Sequence, residues 1–525
     1  MKKLVSLLLT LALLISVSAA FAEAPEMEGN VYLTGPKIVE EPEQLRIFVI
    51  QHPGYPSGFE GIKQVERWEK ETNIDIIWET IPASAWAERK ATMIAGDDLP
   101  DIIAGGGVSD DEMAAWGAQG LLVELTPYLE YMPNFQEILK VHPEYLEQIK
   151  LADGSIYGFG HGAVIDFGER GDLLYVHEDW LKAAGLDYPI REEKLHRVLD
   201  VDLTIDEFTD MLYAFKEIAP ENGYALSGNY GDNAFDELYG VFGRVDNNKH
   251  IVVEDGEVIF TAAQEEWKDA VNYFAELYAD GIIDPEYFSQ DSSTYLAKAA
   301  QEMPLFGVGL TWTAHQYDNS MGEAYDKWIL VKPIADEDGN QTWLRSYSGI
   351  AGGIFCITKD CENVLTAVRF QDYLYDPDNS MQLSLGEYGT SCVKNEDGTI
   401  DMLTYSDPNS LPTGLNMMFI GTPEMFANVR FADPTQMTVD VGMEYRKYQP
   451  EERQEFPPVK FTPEQQEAIS RISADILPFV SQKQAEWITG GGVDDEAWET
   501  YLEQLKDMKV DEYVEVYQER LDAME

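Results

Sequence analysis

Residues 45–78 read LRIFVIQHPGYPSGFEGIKQVERWEKETNIDIIW. The run Leu45-Arg46-Ile47-Phe48-Val49-Ile50 is apolar at nearly every position, as in a strand buried on both faces. A turn-rich QHPGYPSG follows, then a helical stretch around Ile62–Lys70 and a second apolar run, Ile74-Asp75-Ile76-Ile77-Trp78. A further helix is expected over 84–95, stopped by Gly96. Two strands this close, joined through a helix, predict parallel pairing, because a tight turn cannot bring successive strands together in the same direction. The fold class expected is therefore α/β.

Working outward, the chain of 525 residues is too long for one hydrophobic core, so two lobes are expected. Apolar residues make up 45% and aromatic residues 12% of it, enough to fill such cores. Later helices carry their own signals. Thr261 and Gln264 are spaced as a capping box ahead of Trp267, Val271, Phe274 and Tyr278, with Gly281 and Pro285 closing that segment. Thr462-Pro463-Glu464-Gln465 opens a helix carrying Ile469, Ile472 and Ile476 on one face, with a kink expected at Pro478. Trp498, Tyr501, Leu505 and Met508 mark another, and stripes at this spacing read as core.

The first residues, MKKLVSLLLTLALLISVSAAFAEA, combine two lysines, an apolar run and Ala20-Phe21-Ala22, the pattern of a secretory signal peptide over residues 1–22. An uncleaved anchor is the alternative. The mature chain is expected outside the cytoplasm. With 95 acidic against 37 basic side chains the formal charge is −58, which excludes nucleic acid and anionic lipid as partners held by a general field. The acids are spread along the chain, as on a solvated surface. Cys356, Cys361 and Cys392 allow at most one disulfide and fit small buried residues better.

Enzyme signatures are missing from the sequence. The seven histidines show no metal spacing, and neither a nucleophile elbow, a P-loop nor a dinucleotide fingerprint occurs; Gly158-Phe159-Gly160-His161-Gly162 has the wrong spacing for a phosphate cradle. No cofactor and no metal is expected. Carboxylate pairs carry little information where acids are this abundant. What stands out instead is a set of aromatic residues in Gly-, Asn- and Asp-rich surroundings: Trp86, Trp116, Tyr157, Tyr230, Trp312, Trp343 and Tyr347. Ring faces with a few directed polar groups are the usual build of a small-ligand pocket.

Several phrases together resemble one family. They are ATMIAGDDLPDII (91–103), GAQGLLVELTPYLE (117–130), HPEYLEQIKLADGSIYGFG (142–160), LYVHEDWLKAAGL (174–186), ELYADGIIDPEYFSQDSSTYLAKAA (276–300), ENVLTAVRFQDYLY (362–375), FTPEQQEAISRISADILPFV (461–480) and EWITGGG (486–492). In this order they resemble the long subgroup of extracellular solute-binding proteins of bacterial ABC carbohydrate importers. The resemblance implies a two-lobe, periplasmic-binding-protein-like fold of type II, with parallel-sheet lobes joined by hinge crossovers. By analogy the crossovers fall near Gly158–Leu174, near Tyr347–Ile354 and beyond Gly389. Residues 44–162 and 349–390 would then form one lobe, and 163–348 and 395–525 the other.

The resemblance further implies a non-catalytic, monomeric protein that captures a carbohydrate, an oligosaccharide by preference, for an ABC permease in the membrane. Trp312, in GVGLTWTAHQYDN (307–319), takes the place of a stacking aromatic. His161, Asp166, Tyr230, Asp232 and Asn233 match cleft-lining regions. Trp343, Arg345 and Tyr347 precede the second crossover and could stack or clamp; Trp86, Trp116 and His52 could equally pack against helices. The family's calcium loop is reduced here to APENGY (219–224) and the lipobox cysteine is missing, so neither feature is carried over. Two other readings stay open: the same fold holding a peptide or an amine, and a secreted carbohydrate-active enzyme.

Overall fold

The computed structural model describes residues 26–51, 58–59, 61–82, 85–96, 98–105, 108–151, 153–163, 168–194, 196–231, 234–317, 327–346, 350–403, 418–431, 433–459 and 461–524. Its two principal sheets each have six strands. The first is built on the opening stretch: Glu43–Gln51 and Ile74–Pro82 pair in parallel with Leu45 opposite Ile76 and Ile47 opposite Trp78. Helix Lys63–Thr72 crosses between them and buries Val65 and Trp68. Ile102–Ala104, Ile350–Ile357, Phe159–Ala163 and Ile420–Gly421 complete that sheet.

The second sheet runs in the order Tyr224–Ser227, Phe306–Thr311, Leu173–His177, Trp328–Leu330, Arg197–Leu199, Ile190–Glu192. Both sheets are mixed rather than purely parallel. Ile350–Ile357 is antiparallel to both neighbours, and Leu173–His177 likewise. The reason is topological. Ala163 ends its strand at the same edge as Ala104 and Gln51, and the chain next appears in the second sheet at Leu173, directly opposite Thr311, the end of the adjacent strand. A strand entered from that edge must run against the strands that finish there. Strand Ile350–Ile357 enters the first sheet in the same way.

The described sheets move one boundary. Ile420–Gly421 hydrogen-bonds beside Gly162–Ala163, and Ile400, Met402, Val429 and Phe431 cluster with Met381 and Leu385. The described part of 395–431 thus belongs with the first sheet, not with the second lobe as the resemblance implied, and the third crossover lies beyond Phe431. Helix Asp433–Tyr445 already packs Met437 and Val441 into the second core.

Local signals fared unequally. Thr462 and Gln465 form the expected reciprocal cap, and Pro463–Gly490 is a single helix with Pro478 inside it. Thr261 does not cap its helix; its hydroxyl donates to the buried Asp246 carboxylate instead, and Gln264 occupies the cap position without a side-chain bond. Cys356, Cys361 and Cys392 are free and buried. No helix among the described residues is long and apolar enough to cross a membrane. The leader read over residues 1–22 lies outside the described residues.

Candidate functional site

In open α/β sheets ligands sit at the carboxyl edge of the strands, where loops converge on a crevice. Here the carboxyl ends of Tyr224–Ser227 and Phe306–Thr311 and the amino end of Leu173–His177 share one edge of the second sheet, with Ser227 opposite Gly309 and Thr311 opposite Leu173. The crossovers join it to the corresponding edge of the first sheet. A helix–helix contact also links the lobes, Ser470 Oγ donating to Asp111 Oδ2 at 2.9 Å.

Trp312 follows the last residue of its strand at this edge and is half-buried. Three interactions hold it. Its backbone N–H donates to Gln316 Oε1 at 3.1 Å, its carbonyl accepts from Arg170 Nη2 at 2.9 Å, and the Arg170 guanidinium lies 4.0 Å from the ring centroid. Gly307 and Gly309, which interrupt the apolar run before it, are demanded by packing. A Cβ at Gly307 would stand 2.6 Å from Phe215, and one at Gly309 2.5 Å from the Tyr295 hydroxyl. The missing side chains let neighbouring rings close directly onto the strand, Phe215 and Trp180 at the first glycine and Tyr295 and Tyr317 at the second.

Arg170 itself is buried, with a second donation from Nη1 to Gly171 O at 2.8 Å. Beside it Glu237 crowds Gly171 so closely that a Cβ there would lie 1.6 Å from its Oε1. Burial, with the nearby Asp172 charge, pushes the Glu237 carboxyl up to about 8. Its Oε2 has no hydrogen-bond partner among the described residues. A neutral carboxyl beside the arginine that backs the Trp312 indole can donate as well as accept, which suits hydroxyl groups. Neither Arg170 nor Glu237 was singled out from the sequence, although Glu237 falls within GNYGDNAFDEL (228–238); the close approach to Gly171 that marks it is a tertiary fact.

On the first sheet His161 sits near the carboxyl end of its strand, half-buried and edge-on to Phe419 with centroids 5.1 Å apart. Burial lowers it to about 4, so the ring is neutral at pH 7. Since Phe419 O only accepts, the Nδ1 contact at 3.2 Å is an N–H donation, and Nε2 is left as an acceptor. Tyr230 lies near the second sheet's edge, but its hydroxyl donates to Gln484 Oε1 at 2.8 Å and its ring packs on Phe288, tying it to the long helix.

Four expectations are corrected by position. Trp343 is 1% exposed, edge-on to Tyr445 at 4.9 Å, and offers no free ring face. Arg345 is buried and clamps Glu169 rather than facing a cleft. Trp86 packs on Phe48 and Trp116 beside Met113, both in a small core of the first lobe. His52, Asp166, Asp232, Asn233 and Tyr347 lie outside the described residues. Among the described residues no group of three or more His, Cys, Asp or Glu side chains is placed to hold a metal ion.

Two sheet-bearing lobes, with crossovers that leave and enter at their carboxyl edges, define a two-lobe binding protein. Residues 58–381 match the family model of the bacterial extracellular solute-binding proteins, and the chain belongs to that family. Among its relatives is the fructooligosaccharide ABC transporter substrate-binding protein FusA of Streptococcus pneumoniae, 30% identical over 511 residues, spanning 92% of this chain and 91% of that protein. The structure of FusA in complex with kestose superposes with a TM-score of 0.78 at 26% identity, over 92% of this chain and 99% of that one. An HMO-binding, ABC-transporter-associated solute-binding protein from Bifidobacterium longum infantis, at 18% identity and a TM-score of 0.74 over 92% and 99% of the two chains, shares the fold.

Proposed function

We propose that this protein captures a neutral oligosaccharide, of the short fructan type, between its lobes and presents it to an ABC permease, without chemically altering it. The observation that carries this reading is the Trp312 ring, held at the carboxyl edge by Arg170, an arginine that also has beside it the Glu237 carboxyl, which burial keeps protonated. A sugar's C–H face stacks on such a ring while its hydroxyls find directed partners. Similarity to FusA over nearly the whole of both chains supports the ligand class. Removal of residues 1–22 on export, action outside the cytoplasm and a monomeric state complete the proposal.

Isothermal titration of residues 23–525 with kestose, nystose, maltotriose and a tripeptide tests it. Saturable, stoichiometric uptake of kestose or nystose is expected, with the sugar recovered intact. Binding confined to the tripeptide, or cleavage of the sugar, overturns it.

A further inference from the structure

The buried Glu169 sits where the chain enters the second lobe, just before Arg170. Its carboxylate receives Arg345 Nε at 2.9 Å on one oxygen and Arg453 Nε at 3.1 Å on the other. Arg345 stands one residue before the end of the described chain at the second crossover, and Arg453 lies beyond helix Asp433–Tyr445, which follows the third. The three segments are bound by more than charge. Gln449 Nε2 donates to both Glu169 O, at 2.7 Å, and Leu344 O, at 2.8 Å. Gln454 N donates to Arg345 O at 3.1 Å, and Arg345 Nη1 reaches Pro450 O at 3.3 Å. An acid bridging two arginines this far from water is costly to assemble unless each oxygen is satisfied, and here both are. The next residue, Arg170, carries the Trp312 ring.

We propose that Glu169 is a positioning residue: it ties the second-lobe ends of the first two crossovers, the segment that follows helix Asp433–Tyr445 and, through Arg170, the Trp312 ring into one rigid unit, so that the ligand platform keeps a fixed relation to the chain joining the lobes. The coupling to ligand rests on the sugar-binding reading above; the tying of the crossovers does not.

Spin labels at Val141→Cys and Met443→Cys, both exposed and one in each lobe, read the interlobe distance in a chain whose own cysteines are buried. Glu169→Gln is expected to broaden the sugar-free distance distribution and to weaken kestose binding by about tenfold, as loss of a supporting shell does. Asp372→Asn breaks a comparably buried pair with Arg369, confined to the first lobe, and is expected to lower the melting temperature while leaving the distribution unchanged. Should Glu169→Gln fail to fold, Arg345→Lys keeps the charge but loses the planar fork, and a smaller broadening is expected. Distributions that superpose for parent, Glu169→Gln and Arg345→Lys overturn the proposal, as does an affinity loss no larger than that of Asp372→Asn. If the parent itself takes up no kestose, the ligand reading fails on its own, and the sugar-free distances still decide the role of Glu169.

Discussion

Trp312 has one ring face against a guanidinium and is half-exposed, so its truncation removes little core. Trp312→Ala should therefore separate binding from stability: kestose affinity falls by at least about tenfold, equivalent to ~1.4 kcal/mol, while the melting temperature scarcely moves. Titration calorimetry and a thermal melt on the same preparation check this, and a large stability loss would reassign the ring to the core. Glu237 behaves differently because its folded value lies above the ordinary carboxylate range. Below about pH 4.5 the carboxyl is protonated folded or unfolded and contributes nothing to pH dependence. Between there and about 8 the unfolded chain releases a proton that the folded chain keeps, so stability falls as pH rises. Glu237→Gln should remove that slope, and its melting temperature should exceed the parent's by a margin that grows from pH 5 to pH 8. A constant offset across this range would mean that the carboxyl titrates normally.

At the scale of elements, the Phe306–Thr311 strand shows how packing sets the site. Gly309→Ala places a methyl against Tyr295, Phe306 and Tyr317, with the nearest ring atoms and hydroxyls within 2.7 Å, so the cost is overpacking of roughly 1–3 kcal/mol. Because Trp312 follows the same strand, kestose binding should weaken together with the melting temperature, unlike in Trp312→Ala. The first two strands and their helix were legible because periodicity and turn residues are local. The Thr462 cap was legible for the same reason. Thr261 was misread because its hydroxyl serves Asp246, a partner that local spacing does not reveal. Trp343 and Trp86 have loop-like flanks yet are packed, since burial depends on which element arrives from elsewhere in the chain: Tyr445 for the first, Phe48 for the second.

Over the whole molecule, the resemblance implied that 395–431 lies in the second lobe, whereas Ile420–Gly421 pairs with Gly162–Ala163, a join between segments far apart in sequence. The same distance in sequence hides the Glu169–Arg345–Arg453 cluster, whose members are ordinary charged residues until the fold brings them together. The charge of −58 offers a global test of ligand class. A neutral sugar feels no long-range field, whereas a cationic peptide or polyamine is drawn in and loses affinity as salt shortens the Debye length from ~10 Å at 0.1 M to ~3 Å at 1 M. Ligand that binds only the native state stabilises it by ~2.7 kcal/mol at a hundredfold excess over Kd, whichever class it belongs to. The melting shift produced by kestose at that excess, relative to the sugar-free protein in the same buffer, should thus be the same at low and high salt. A shift that collapses in high salt, or one given only by cationic ligands, would replace the sugar with a charged solute while leaving the two lobes and their crossovers as described.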